Sequence, residues 1–421
     1  MIIACPDCGT IQRIPSLDPG DRLRCPLCRK VLERTAGRSL DAAFALGFAA
    51  FLLWFPANLA TLLTLHILGI ERSSLLVSGV FYLWSEGWLL VAVIVALQGV
   101  ILPFFRFGLL SASLASIRFG FQRRWTGIAF RWSEHLDSWS MADVFLFGAA
   151  IGYSRVAVLI PVQIGIGGWC LIACACLTMI TRASLDRQAV WRMIERPESP
   201  LSGPRIACTE CDLVVPASME DSRCPRCAAR LHRRKPFALM RPLALIVAGY
   251  PLYLVANYYP MSLQDQFGTI SQQTISYGVY ELLKAGFWPL AAIIFLASIF
   301  IPLAKLLGMS WLLWSAHHGS TTRLVLKTRL YRFIEGVGRW SNIDIFTIVI
   351  FLPIMQIAGI INVSAGQGAP AFLAVIVLTM LAVRMFDPRL LWDHIQPLEH
   401  PNISTDERAE IRPGLGWKPS S

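Results

Sequence analysis

The chain has 421 residues, 55% of them hydrophobic and only 15% Asp, Glu, Lys or Arg, whereas soluble domains carry roughly 25% charge. A soluble chain of this length would split into about two to four domains whose surfaces so little charge cannot cover, so soluble, disordered, collagen-like and secreted disulfide-scaffold classes are excluded. The formal net charge of +11 raises nucleic acid as a partner, and the positions of the charges decide against it.

The first apolar run starts about forty residues in, after a polar segment containing cysteines, so no cleavable signal opens the chain. Uncharged runs then place the bilayer, since a spanning helix needs roughly 20 apolar residues. Between Asp41 and Glu71 lie 29 residues without a charge. Further runs occur at Gly87–Phe105, Val156–Thr181, Pro242–Gln264 and Ala285–Ala304. A shorter one, Met141–Ile151, carries Asp143 and is accepted because its counterpart in the second half is plainer. Ile345–Val383 is uncharged over 39 residues, and Asn362, Gly366, Gly368 and Pro370 divide it into two. Eight spans are expected. Lys and Arg concentrate in residues 1–40, 118–138, 182–241, 316–339 and 384–421, which hold 33 of the 38. By the positive-inside rule these segments, and both termini, are cytoplasmic. The basic charge then answers to topology and anionic headgroups, not to nucleic acid.

The chain is a tandem duplication. At an offset of 199, Cys25 and Cys28 match Cys224 and Cys227, Ala57-Asn58 matches Ala256-Asn257, Gly79-Val80 matches Gly278-Val279, and Pro103 matches Pro302. At 201, Trp139-Ser140 matches Trp340-Ser341, Asp143 matches Asp344, Asp186 matches Asp387 and Trp191 matches Trp392. Each half is a cysteine module followed by four spans, and an even number gives a parallel repeat. The expected fold is therefore an all-α polytopic membrane protein, a tandem repeat of two four-helix transmembrane bundles, each preceded by a cytoplasmic four-cysteine zinc ribbon. Its parts are zinc ribbon 1 over residues 1–38, bundle 1 over 39–183, a cytoplasmic linker over 184–203, zinc ribbon 2 over 204–235, bundle 2 over 236–396 and a cytoplasmic tail over 397–421.

Eight of the eleven cysteines form the ribbons: Cys5, Cys8, Cys25 and Cys28, then Cys208, Cys211, Cys224 and Cys227. Two CxxC knuckles close a tetrahedral thiolate site with no open position, which is structural zinc chemistry, two ions in all. Disulfides are the rival in an oxidising compartment, which the charge count argues against; iron is the other. Cys170, Cys174 and Cys176 sit in an apolar run and read as packing residues.

Polar groups inside spans are expensive and so candidate functional residues. Arg106 and Lys305 correspond at offset 199, Asp143 and Asp344 at offset 201. The expected pairs are Arg106 with Asp143 and Lys305 with Asp344, while Asn58 and Asn257 are expected to hydrogen-bond across helices. Between the first two spans, LHILGIERSSLLV and SLQDQFGTISQQTI alternate as strands do and predict a small β-hairpin outside the membrane in each half. There is no Walker A loop, HExxH or GxSxG, so no enzyme is expected.

A Cys-Pro-x-Cys double knuckle, Ala-Asn in the first span, Gly-Val and Gly-Trp before the second, Trp139-Ser140-x2-Asp143 at the third and Leu177-Thr178-Met179 with Asp186-x4-Trp191 after the fourth, largely duplicated, resemble the paraquat-inducible protein A family up to about His400. The resemblance implies a bacterial inner-membrane protein that works with a periplasmic tunnel protein built from mammalian-cell-entry (MCE) domains and moves phospholipids between the two membranes. The second half is expected to keep the lipid pocket, bordered by Asn257, Lys305 and Asp344 and open to the outer leaflet. A quinone-linked redox protein with iron in the cysteine sites, and a scaffold that only anchors a partner, are the alternatives.

Overall fold

The computed structural model describes residues 2–13, 22–34, 40–67, 70–157, 162–194, 203–266, 269–355 and 361–395; the expected tail over 397–421 and the hairpin tip Phe267-Gly268 lie outside them. The first half runs β1 (Ile2–Ala4), β2 (Ile11–Arg13), β3 (Arg22–Arg24) and β4 (Val31–Arg34), then α1 (Leu40–Leu59), β5 (Leu63–Ile67), β6 (Ile70–Ser74), α2 (Ser78–Ser85), α3 (Leu89–Ala96), α4 (Leu102–Arg118), α5 (Arg124–Asp137), α6 (Ala142–Ala157), β7 (Val162–Ile164) and α7 (Ile166–Ser184). After α8 (Arg187–Met193) the order recurs: β8 (Arg205–Ala207), β9 (Val214–Pro216), α9 (Met240–Tyr258), β10 (Ser262–Gln266), β11 (Thr269–Gln273), α10 (Ile275–Lys284), α11 (Trp288–Ile294), α12 (Ile301–His317), α13 (Leu324–Val337), α14 (Ile343–Met355), β12 (Ile361–Ala365) and α15 (Gly368–Met385).

Among the described residues, five helical stretches are long and apolar enough to cross a membrane: Leu40–Leu59, Leu89–Arg118, Ile166–Ser184, Trp288–His317 and Gly368–Met385. Helices also stand at the three other expected places. There α9 has 19 residues, α6 has 16 and α14 has 13, the last two short of the roughly 20 a crossing requires.

The second span of each half is longer than its uncharged run. Leu89–Arg118 and Trp288–His317 each hold 30 residues, about 45 Å of helix against about 30 Å of hydrocarbon. Toward the ribbon side the amphipathic helices α5 and α13 fold back along them. Within each long helix one turn widens: the amide of Leu102 donates to Leu97 O and that of Ile301 to Leu296 O, five residues back. Pro103 and Pro302 follow immediately and have no amide to donate. The wide turn relieves the clash of their rings with the preceding carbonyls.

The hairpins are present and each gains a third strand. The order is β6-β5-β7 in one sheet and β11-β10-β12 in the other, all antiparallel, with Leu63 opposite both Ser74 and Ile164. The third strands come from between the last two helices of each half, inside what reads as continuous span, and they cover the second edge of the central strand. The run Val156–Thr181 is thus corrected: it contains β7, and the helix begins at Ile166.

The halves meet along α6 and α14. The rings of Phe145 and Phe346, equivalent residues, lie 5.2 Å apart, and Thr347 Oγ1 donates to Gly148 O at 3.3 Å. A Cβ on Gly148 would sit 2.9 Å from that of Phe346, whereas one on Gly336 would meet nothing within 4 Å. Gly148→Ala is expected to cost about 1–3 kcal/mol by overpacking, and Gly336→Ala to gain a few tenths through helix propensity. Thermal unfolding in detergent separates the two.

Symmetry fails on the sheet side. In the first half α2 lies against α14, with Gly79 touching the backbone of Val349, and Gly79 and Leu83 are buried. In the second half no comparable packing of α10 on α6 exists among the described residues. Gly278 has open space where a Cβ would stand, and Leu282 is half-buried. The Gly278 face of α10 is left open, a gap in the packing that α14 fills against α2 in the first half.

Candidate functional site

Each cysteine set converges. All four Sγ atoms of Cys5, Cys8, Cys25 and Cys28, and of Cys208, Cys211, Cys224 and Cys227, lie within 4.8 Å of one another, and all eight residues are buried. Tetrahedral sulfurs about 2.3 Å from a central ion stand about 3.8 Å apart. The measured separations are 3.4 Å for Cys5–Cys28, 3.6 Å for Cys8–Cys25, 3.6 Å for Cys208–Cys227 and 3.7 Å for Cys211–Cys224. All eleven cysteines are free. The donor sets therefore fit a tetrahedral metal ion in each ribbon. His232 pairs with Asp221 at 3.1 Å and stays outside the set.

The ribbons do not sit on the bundles that follow them in the chain. Cys5, Cys8, Cys25 and Cys28 share a core with Leu306, Met309, Ile334, Phe386 and Trp392 of the second half. Cys208, Cys211, Cys224 and Cys227 share one with Leu110, Leu114, Phe130 and Trp191 of the first. Equivalent contacts hold each junction. Arg332 donates to Cys28 O at 3.1 Å and Arg131 to Cys227 O at 2.9 Å. The acid inside each leading knuckle is gripped from the bundle: Arg332 Nε lies 2.6 Å from Asp7, and His135 Nε2 lies 2.9 Å from Glu210. After the last helix of each half, Asp186 and Asp387 cap a short helical turn by accepting the amides of Gln188 and Arg389, which sets Trp191 and Trp392 into the ribbon cores. That turn makes the described residues 186–194, which begin the expected linker, part of the docking surface. The N-terminal ribbon thereby closes onto the C-terminal bundle. The two ribbons also touch each other, through a bridge between Ile3 and Leu213.

A chain of charges runs through the first bundle. Arg106 on α4 pairs with Asp137 at the end of α5 at 2.5 Å; Arg182 on α7 bridges Asp137 at 2.9 Å and Asp143 on α6 at 2.5 Å; Arg339 of the second half approaches Asp143 at 3.8 Å. Arg106 and Asp143 thus belong to one cluster, with Asp137 and Arg182 standing between them where a direct pair was expected. Arg106 lies 17 residues past Leu89, about 26 Å along the helix. That places it in the ribbon-side half of the long helix, where residues outside the uncharged runs reach it. Burial pushes the Asp137 carboxyl up, and the guanidinium groups of Arg106 and Arg182 outweigh that and hold it below the usual carboxylate range.

The second half has lost this arrangement. The residue equivalent to Asp137 is Gly338, and Lys305 Nζ donates to its carbonyl at 2.9 Å. Lys305 is 2% exposed and borders a cavity of about 300 Å³ with Asp137, Arg332, Glu335, Arg339 and Arg384. Asn257 is not in that lining. The side chain of Asp344 lies outside what the structure describes. Asn58 donates to Trp54 O at 2.7 Å and Asn257 to Tyr253 O at 2.9 Å, each four residues back in its own helix, where contacts across helices were expected.

The description paraquat-inducible protein A matches residues 40–195 and 239–396. The chain is 30% identical over 419 residues to "Intermembrane transport protein PqiA" of Escherichia coli (strain K12), covering 94% of this chain and 97% of that protein. It is 28% identical to "Lipophilic envelope-spanning tunnel protein A" of the same organism, over 92% and 90% of the two chains. A "Probable intermembrane transport protein" of Haemophilus influenzae is 27% identical, over 93% and 95%. No solved structure matches. With two matching segments that coincide with the two helical halves, and near full-length similarity to intermembrane transport proteins, the chain belongs to the paraquat-inducible protein A family.

Proposed function

We propose that this protein is the inner-membrane component of an envelope lipid transport route, passing phospholipids to or from a periplasmic tunnel partner built from MCE domains, without catalysing a reaction of its own. In this reading the ribbons and both termini face the cytoplasm, the three-stranded sheets face the periplasm, and each ribbon holds one structural zinc ion. The observation that carries it is the unlatched helix α10. Where α2 closes the first half against α14, the Gly278 face of α10 is open, and Tyr277 and Tyr280 on α10 and Trp288 at the start of the adjoining α11 are exposed. Withdrawing acyl chains into water costs about 0.8 kcal/mol per methylene. An apolar gap next to the periplasmic sheets shields the chains on the way out. The names of the relatives, which speak of intermembrane transport and of an envelope-spanning tunnel, fit this role.

The halves supply the control for a test. A photocrosslinking residue at Leu282 should capture phospholipid in cells, and the same residue at the equivalent Leu83, which is 1% exposed, should not. Equal lipid capture at both positions, or capture of protein or quinone alone at Leu282, would remove the gap as a lipid path and favour a scaffold or a redox role.

A further inference from the structure

On the opposite face, between the second ribbon and the ends of the helices, lies a cavity of about 700 Å³, inside the size range of small-ligand sites. Its walls come from three parts of the chain: α5 and α8 of the first half, the second ribbon, and the ends of α9, α13 and α15. Six basic side chains line it, Arg131, Arg187, Arg230, Lys235, Arg241 and Arg384, against three carboxylates. Two of the three are engaged: Glu134 lies 2.5 Å from Arg187 and Glu210 lies 2.9 Å from His135, leaving Glu335. Lys235 Nζ is held by the carbonyls of Arg384 and Phe386 at 2.7 and 3.2 Å. Among the described residues no carboxylate stands within ion-pair distance of Arg131, Arg230, Arg241 or Arg384. Like charges gathered without counter-ions repel, and the arrangement is relieved when an anion enters.

The surroundings indicate which anion. Arg241 is in the first turn of α9 and Arg384 in the last turn of α15, so both guanidinium groups sit where apolar helix gives way to water. On the face of α9 that carries Arg241, Ala244 and Ala248 are exposed and Leu245 is half-buried, which offers an apolar surface for acyl chains. Phe237, over whose ring Arg241 lies at 4.9 Å, and Trp132 present exposed rings at the level where aromatic side chains meet headgroups. The guanidinium fork matches two oxygens of a phosphate. We propose that this cavity binds the phosphate of an anionic phospholipid from the leaflet on the ribbon side. The site is separate from the gap at α10 and does not depend on transport; the orientation given above only names the leaflet as the cytoplasmic one. Because its walls belong to both halves and to one ribbon, the bound headgroup ties the three together.

The full chain, purified in neutral detergent and stripped of lipid, is followed by thermal unfolding while dioleoyl phosphatidylglycerol, dioleoyl phosphatidylcholine or inorganic phosphate is titrated in. Phosphatidylglycerol should raise the Tm saturably. The double variant Arg230→Gln/Arg241→Gln, at two exposed positions outside the docking contacts, should keep the lipid-free Tm and need about tenfold more phosphatidylglycerol for half the effect; Arg230→Lys/Arg241→Lys should recover most of it. Equal stabilisation by phosphatidylcholine, an unmoved midpoint in the Gln variant, or loss of the lipid-free Tm in both variants overturns the proposal. If inorganic phosphate at the same concentration matches the lipid, the site takes a free anion and the lipid assignment falls.

Discussion

Purified protein should contain about two zinc ions per chain, and losing either should unfold its ribbon and release it from the bundle beneath. Each ribbon has only short strands, and its buried centre consists of the four cysteines themselves with a few residues such as Ile3, Leu32, Ile206 and Val215. A domain with so little apolar core folds through its metal, whose binding is worth roughly 10–16 kcal/mol in small zinc modules. Cys28→Ser and Cys227→Ser should each halve the zinc measured by elemental analysis, and each should expose a different junction to protease: the contacts of Arg332 in the first case and those of Arg131 in the second. Gly127→Ala tests docking apart from metal binding. A Cβ there would overlap the carbonyl of Arg226, so the ribbon should lift while its four sulfurs keep their ion, seen as faster zinc loss to a chelator at full initial occupancy. Iron in place of zinc would reject the structural reading and revive the redox one.

The duplication, the ribbons and most of the helices are legible because their signals are local. Paired CxxC knuckles fix their own geometry, and an apolar run of about 20 residues has few alternatives. What escaped the sequence is what one half does to the other. Nothing in the run from Cys5 to Cys28 says that it docks onto Leu306 and Trp392, although the repeated Asp-x4-Trp and the acid inside each leading knuckle, Asp7 and Glu210, were marks of a recurring contact. The third sheet strands are hidden because Val162–Ile164 carries no charge and adjoins a glycine bend, so it reads as the start of a span. The charge cluster was half seen. Asp143 lies inside a run and Arg106 directly after one, and both stand out because a charged residue matches each in the other half, whereas Asp137 and Arg182 match Gly338 and Val383 and read as loop charges.

The matched basic residues Arg106 and Lys305 should differ in their dependence on a carboxylate. Asp137→Asn leaves Arg106, 4% exposed, without its carboxylate, and an uncompensated buried charge costs up to about 3–5 kcal/mol. The loss should fall toward the lower end because the Asp137 side chain is 34% exposed. Adding Arg106→Met to that variant should restore most of the stability, since an apolar side chain of similar length often replaces a buried ion pair without net cost. The pH dependence has the same origin. A carboxyl held below its unfolded value stabilises the fold at all pH above about 3.9, and the contribution fades as pH falls through the lower folded value. In the second half Lys305 has a carbonyl where Arg106 has a carboxylate, so Lys305→Met removes a buried charge that breaks no ion pair seen there. Its Tm should stay level or rise. Unfolding followed by intrinsic fluorescence for the three variants decides the matter: a Lys305→Met loss as large as that of Asp137→Asn would mean that Lys305 has a carboxylate partner after all, with Asp344 the first to test.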